Sequence, residues 1–212
     1  MTNMLRRWTV DRGPSAADVG EIANVLRGGG VMLLPTDTIY GLHGIATDER
    51  AMGRIAAMKG RDAAKPFVVI GASTQQLQDI GVEFSERARE VLQSLWPAPL
   101  TAILPLRLPV AASRGAATLA VRVPDLDWLR ALVAICGPLA STSANLSGEA
   151  PVETPERLSR ALQTALDGVL DAGPLQGEPS VIVDFTGDSP RIAREGDTVF
   201  TQKVWKTLRK SL

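Results

Sequence analysis

Apolar residues recur along the chain at two spacings, one helical and one extended, and their alternation lays out the elements. From Ser15 to Arg27, Val19, Ile22, Ala23 and Leu26 fall on one helical face, with Ser15 and Asp18 as the start signal and Gly28-Gly29-Gly30 as the stop. The run VMLLP (31–35) predicts a short buried strand. Asp48 caps a second helix to Lys59, with Met52, Ile55 and Ala56 inward, and PFVVIG (66–71) follows as a strand. A third helix, Ser85 to Trp96, turns Ala88, Val91, Leu92 and Leu95 inward. LTAILPL (100–106) and TLAVRVP (118–124) predict strands, Leu126 to Cys136 a helix, and PLAST (138–142) a strand. Thr154 reads as the cap of a further helix with Pro155 in its first position. SVIVDF (180–185) and PRIAR (190–194) predict a hairpin, and Asp197 to Lys210 a last helix.

Strands and helices alternate, but two pairs of strands are adjacent, so strict βαβ order fails. The pattern therefore predicts an α/β protein (of the α+β type) in which helices cover a mixed sheet. The 212 residues suit one domain of ordinary size, and no linker, repeat or low-complexity run divides residues 1–212.

Composition removes several kinds of chemistry. Lys plus Arg and Asp plus Glu both number 23, so net charge gives no sign of a phosphate-backbone binder. The tail carries Lys203, Lys206, Arg209 and Lys210 without an acid, the pattern of a solvated helix face. No apolar run reaches the ~18 residues of a membrane span, and the N-terminus lacks a secretory h-region. Cys136 is the single cysteine and lies in an apolar run, which suits a reducing, cytoplasmic setting and a core position. With His43 the single histidine, neither an N/S zinc site nor a G-x-S-x-G hydrolase is available. Lys, Arg, Ser, Thr, Asn and backbone amides remain, a set that binds anions.

Those groups cluster where strands end. PTDTIYGL (35–42) follows the first strand and STSANLSG (141–148) follows PLA. Ligands in open α/β sheets bind outside such strand ends. Each cluster alone reads equally as a turn. Lys59-Gly60-Arg61 closes the second helix, either as a basic C-terminus with a glycine stop or as a phosphate clamp. No GxxxxGK[ST] is present, so a nucleotide here would be held without a P-loop. Arg122 sits inside an apolar strand and calls for either a structural ion pair or a ligand carboxylate. Arg194 ends its strand, where the plain reading is an exposed arginine.

In order, PTDTIYGL, KGR with the strand behind it, WPAPLT, LAVRVP, STSANLSG, and PSVIVDF with RIAREG make the chain resemble the YrdC/YciO family. More narrowly, it is similar to the short, single-domain threonylcarbamoyl-AMP synthases. The resemblance implies a twisted mixed parallel/antiparallel sheet with helices on both faces and a concave cleft. It also implies a nucleotidyltransferase that joins L-threonine, bicarbonate and ATP, with Mg²⁺ accompanying the nucleotide and no protein metal site. The products would be threonylcarbamoyl-AMP and pyrophosphate, and a downstream transfer complex would modify tRNA position 37 (t6A). By the same resemblance Lys59, Arg61, Ser143 and Asn145 are catalytic. Thr36, Arg122, Ser141 and Ser180 then bind threonine, and Lys59, Thr118, Ser143 and Arg194 bind ATP. Asp62, Ala98 and Pro151 stand where the family pattern has other residues. A YciO-like paralogue and a non-catalytic module contacting RNA or tRNA are the alternatives.

Overall fold

A computed structural model describes residues 5–11, 13–60, 62 and 64–210. Among these, ten strands form one sheet. In chain order they are β1 (Arg6–Thr9), β2 (Met32–Leu34), β3 (Gly41–Ile45), β4 (Val68–Ile70), β5 (Leu100–Pro105), β6 (Thr118–Arg122), β7 (Leu139–Ser143), β8 (Gly168–Asp171), β9 (Val181–Asp184) and β10 (Arg191–Arg194). In space they run β1-β8-β2-β3-β7-β4-β6-β5-β9-β10, with parallel and antiparallel neighbours mixed. The α-helices are α1 (Ala16–Arg27), α2 (Glu49–Lys59), α3 (Thr74–Asp79), α4 (Glu86–Leu95), α5 (Asp127–Cys136), α6 (Arg160–Ala165) and α7 (Thr198–Lys210).

Local chemistry fixes the long helices. Ser15 Oγ accepts from the Asp18 amide while Asp18 accepts from the Ser15 amide, a reciprocal cap on α1. Asp48 accepts from the amides of Arg50 and Ala51, and Gly60 ends α2 in the left-handed region at φ 56°. On α2 the buried stripe Met52, Ile55, Ala56 continues into Lys59. A lysine thus occupies the inward face of its helix. On α7, Thr201, Val204 and Leu208 are buried, and the cationic tail residues point to solvent.

Two cores cover the two faces of the sheet. Leu33, Leu42, Val69, Ala140 and Val121 pack beneath α2, α4 and α7. On the opposite face Met32, Leu34, Ile70, Leu139 and Leu170 pack beneath α1 and α5. That second core takes nothing from β5 or β6. On the same face, Ser141, Val68, Ala120 and Ile103 lie opposite one another across four strands and stay half-buried. This stretch of sheet is left uncovered by helices.

Five elements depart from the sequence expectations. β1 carries two arginines on a sheet edge, so its polar pattern hides a strand. β3 contains two glycines and a histidine, and its pattern predicts no strand; hydrogen bonds from β2 and β7 on both sides hold it extended. β8 and α3 are too short for their pattern to register. The helix expected from Thr154 is corrected: residues 155–157 make one 3₁₀ turn, the chain extends at the buried Leu158, and Ser159 caps α6 separately.

Candidate active site

A cavity of about 310 Å³ opens on the uncovered face. Thr36, Arg122, Ser141, Ser143, Ser180 and Arg194 all line it. They come from four distant stretches of chain, and the strand order brings them together. A larger hollow of about 470 Å³ at the end of α1 contains none of them; its Arg54 is committed to Asp167 and to the carbonyls of Gly29 and Ala165.

Arg122 is the electrostatic centre of the cavity. It is 6% exposed. One Nη pairs with Asp37 and the other donates to Thr38 Oγ1 at 3.1 Å. Asp37 in turn accepts from the Asp125 amide. The Arg122 Nε is buried with no hydrogen-bond partner among the described residues. A structural ion pair and a place in a ligand cavity therefore coexist at this residue. Burial pulls the Arg122 pKa below its ordinary value, against the opposing pull of Asp37. Burial and the nearby Arg122 charge lower that of Arg194 as well. Two guanidinium groups thus share one cavity with one paired carboxylate, which favours an anionic ligand.

Arg194 is exposed at its strand end, and its guanidinium is nonetheless tied down. Its Nε and Nη2 both donate to the Ser180 carbonyl, at 3.1 and 2.7 Å, and Nη2 also reaches Ser180 Oγ. Ser180 Oγ lies 2.8 Å from Thr101 Oγ1, and Thr101 stands opposite Arg122 in the ladder. The Thr36 hydroxyl donates to the Ile39 carbonyl and accepts from the amides of Thr38 and Ile39, so it shapes its own loop. Ser141 Oγ lies 3.1 Å from His43 Nε2.

Lys59 and Asn145 form a node beside the cavity rather than lining it. Lys59 Nζ donates to the Ser143 carbonyl at 2.6 Å and to the Asn145 carbonyl and Oδ1 at 2.9 Å each. Ser143 Oγ donates to the same Asn145 Oδ1, and Asn145 Nδ2 donates to the Glu149 carbonyl. The inward lysine of α2 thereby fastens the end of β7 and the loop behind it. Thr118 lies on the Arg122 face of β6, four residues and roughly 13 Å away along the strand, outside the cavity lining. Arg61 lies outside the described residues. Asp62 turns its carboxylate to the Ala64 amide of its own loop. Pro151 lines the cavity and Ala98 is buried.

Sequence reasoning missed Asp37, Thr38, Thr101 and His43. Asp37 and Thr38 sit within the run PTDTIYGL (35–42), where an acid among hydroxyls was the available signal for a partner to a buried arginine. Burial pushes the Cys136 thiol up to about 12, which disfavours the thiolate. Among the described residues no group of three His, Cys, Asp or Glu side chains could hold a metal ion, and no helix is long and apolar enough to cross a membrane.

A model of Sua5, YciO and YrdC proteins, described as telomere recombination, matches residues 24–196. The chain belongs to this family. The threonylcarbamoyl-AMP synthase of Bacillus subtilis is 32% identical over 200 residues, covering 90% of this chain and 58% of that protein. The one from Pseudomonas syringae pv. syringae is 34% identical over 182 residues, covering 84% of this chain and 97% of that protein. The family fold extends to P. abyssi Sua5 complexed with L-threonine, at a TM-score of 0.84 and 29% identity, over 95% of this chain and 60% of that one. The chain therefore spans about three-fifths of the length of the Bacillus and P. abyssi proteins.

Proposed function

We propose that the protein is an L-threonylcarbamoyladenylate synthase, a nucleotidyltransferase acting in the cytoplasm on L-threonine, bicarbonate and ATP. The observation that carries this reading is the Arg122 guanidinium in the wall of a cavity that it shares with the hydroxyls of Thr36, Ser141, Ser143 and Ser180 and with a second arginine. A carboxylate is the ligand that such a fork holds best. About 310 Å³ is at the small end for a small-molecule site, which suits an amino acid. The nucleotide would then lie along the uncovered sheet toward Thr118, Ser143 and Lys59.

In this reading Arg122 holds the threonine carboxylate, with Ser141, Ser180 and the Thr36 loop around the amine and hydroxyl. The amine condenses with bicarbonate, releasing water and leaving a carbamate. A carbamate oxygen attacks the α-phosphorus of ATP, and pyrophosphate leaves. Two anions approach each other, so the protein's part is positioning and charge neutralisation by Arg194, Lys59 and Arg61. Ser143 and Asn145 hold Lys59 in place. Mg²⁺ would accompany the nucleotide, and no step here is assigned to it. The product would pass to a threonylcarbamoyl-transfer complex acting on adenosine 37 of tRNA. The deciding assay is pyrophosphate release from ATP. Release is expected only with threonine and bicarbonate together, and release indifferent to threonine would refute the reading.

A further inference from the structure

His43 is the single histidine and is fully buried beneath the cavity. It stands opposite Ser141 in the β3–β7 ladder. Its ring is placed by a close approach: a Cβ on Gly41 would lie 2.7 Å from His43 Cε1, so glycine at that position makes room for the imidazole. The two ring nitrogens have different neighbours. Nδ1 lies 2.9 Å from the Gly41 carbonyl oxygen, which can only accept. Nδ1 therefore carries the ring hydrogen. Burial pushes the His43 pKa down from 6.5 to about 4, so the ring is neutral near pH 7 and Nε2 is bare. The only hydrogen available for the 3.1 Å contact with Ser141 is the serine's own.

A serine hydroxyl has one hydrogen to donate and two lone pairs. With its hydrogen committed to His43, Ser141 offers the cavity acceptors alone. We infer that His43 is a positioning residue, which fixes the Ser141 hydroxyl so that its lone pairs receive an N–H of the bound amino acid. The inference rests on the threonine reading of the cavity and extends it to a residue that does not line the cavity. His43 acts by orientation and not by taking the proton. A ring with a pKa of about 4 is a poor sink for the proton of an α-ammonium group, whose ordinary pKa is near 8. The same geometry disfavours amino-acid analogues that present an acceptor in place of the amine.

Calorimetric binding of L-threonine and of ATP tests this in wild type, His43→Leu, Ser141→Ala and the double variant. Each single change should weaken threonine about tenfold, the loss of one hydrogen bond, and leave ATP unchanged. The double variant should bind no more weakly than Ser141→Ala, because the two residues act as one unit. His43→Gln, which keeps an acceptor on a side chain of similar reach, should recover most of the affinity. Additive losses near a hundredfold, or a parallel fall in ATP affinity, would overturn the proposal. Should His43→Leu fail to fold, the imidazole ¹⁵N spectrum of wild type decides. One residue supplies all the signals; a protonated Nδ1 and a bare Nε2 that shifts in Ser141→Ala support the assignment, and an Nε2–H ring overturns it. Wild-type protein that binds no threonine sinks the reading of the cavity, and this proposal with it. Wild-type binding with additive variants sinks the proposal alone.

Discussion

Lys59 shows how one side chain can serve two purposes. The residue is 5% exposed, and its ammonium group donates to three oxygens of the Ser143–Asn145 turn. A buried charge survives only when it is satisfied in this way. Lys59→Ala removes the donor and leaves those acceptors buried. Charge-assisted bonds of this kind contribute roughly 1.5–3 kcal/mol, so threonine-dependent pyrophosphate release should fall at least about tenfold. The melting temperature should fall by roughly 5 °C. Unchanged turnover with a lowered melting temperature would assign Lys59 to structure alone. Asn145 is coupled to the same ammonium group, so losses in a Lys59–Asn145 double variant should not add.

Among the elements, the segment 172–180 supplies Pro179 and Ser180 to the cavity wall. Tyr40 OH donates to the Gly173 carbonyl at 2.8 Å and accepts from the Ala172 amide at 2.9 Å, which ties the segment to the loop before β3. Further on, a Cβ at Gly177 would lie 1.9 Å from the Thr38 carbonyl oxygen. The segment then delivers Ser180 to the cavity wall. Gly177→Ala cannot be absorbed by a flexible side chain, because the obstacle is backbone, and overpacking of this kind costs about 1–3 kcal/mol. The segment should lift, carrying Ser180 away. The expected result is a raised threonine requirement together with faster proteolytic cleavage between residues 172 and 180. Unchanged cleavage and an unchanged threonine requirement would show that the close approach is not needed.

For the molecule as a whole, the half-covered sheet decides where a ligand can lie. The α1–α5 pair shields one half of a face, and the other half carries the hydroxyls and guanidinium groups. The same burial makes stability depend on pH. The His43 pKa is about 4 in the folded protein against 6.5 when unfolded. Below pH 6.5 the unfolded chain therefore takes up a proton that the native ring refuses. The contribution is fully present above pH 6.5 and is lost as pH falls toward about 4, on the order of 3 kcal/mol in all. Urea midpoints measured at pH 7 and pH 4.5 should fall more steeply for wild type than for His43→Gln. Equal slopes would mean that the ring is not held neutral.

The helices α1, α2, α4, α5 and α7 were legible because caps and one-sided stripes are local signals that a short window contains. The ordered motifs likewise identified the family, since Thr36, Arg122, Ser141, Ser180 and Arg194 stand inside them. Strand β3 was hidden because Gly41, His43 and Gly44 carry little extended preference, and hydrogen bonds from β2 and β7 make the strand. No local pattern told that Arg122 would both pair with Asp37 and line the cavity, or that Lys59 would reach Ser143. Apolar spacing specifies which side of an element is buried, but not which partner buries it. Pairing between distant segments settles that, and it is this pairing that gathers the hydroxyls and cations into one cavity and sets a neutral histidine beneath them.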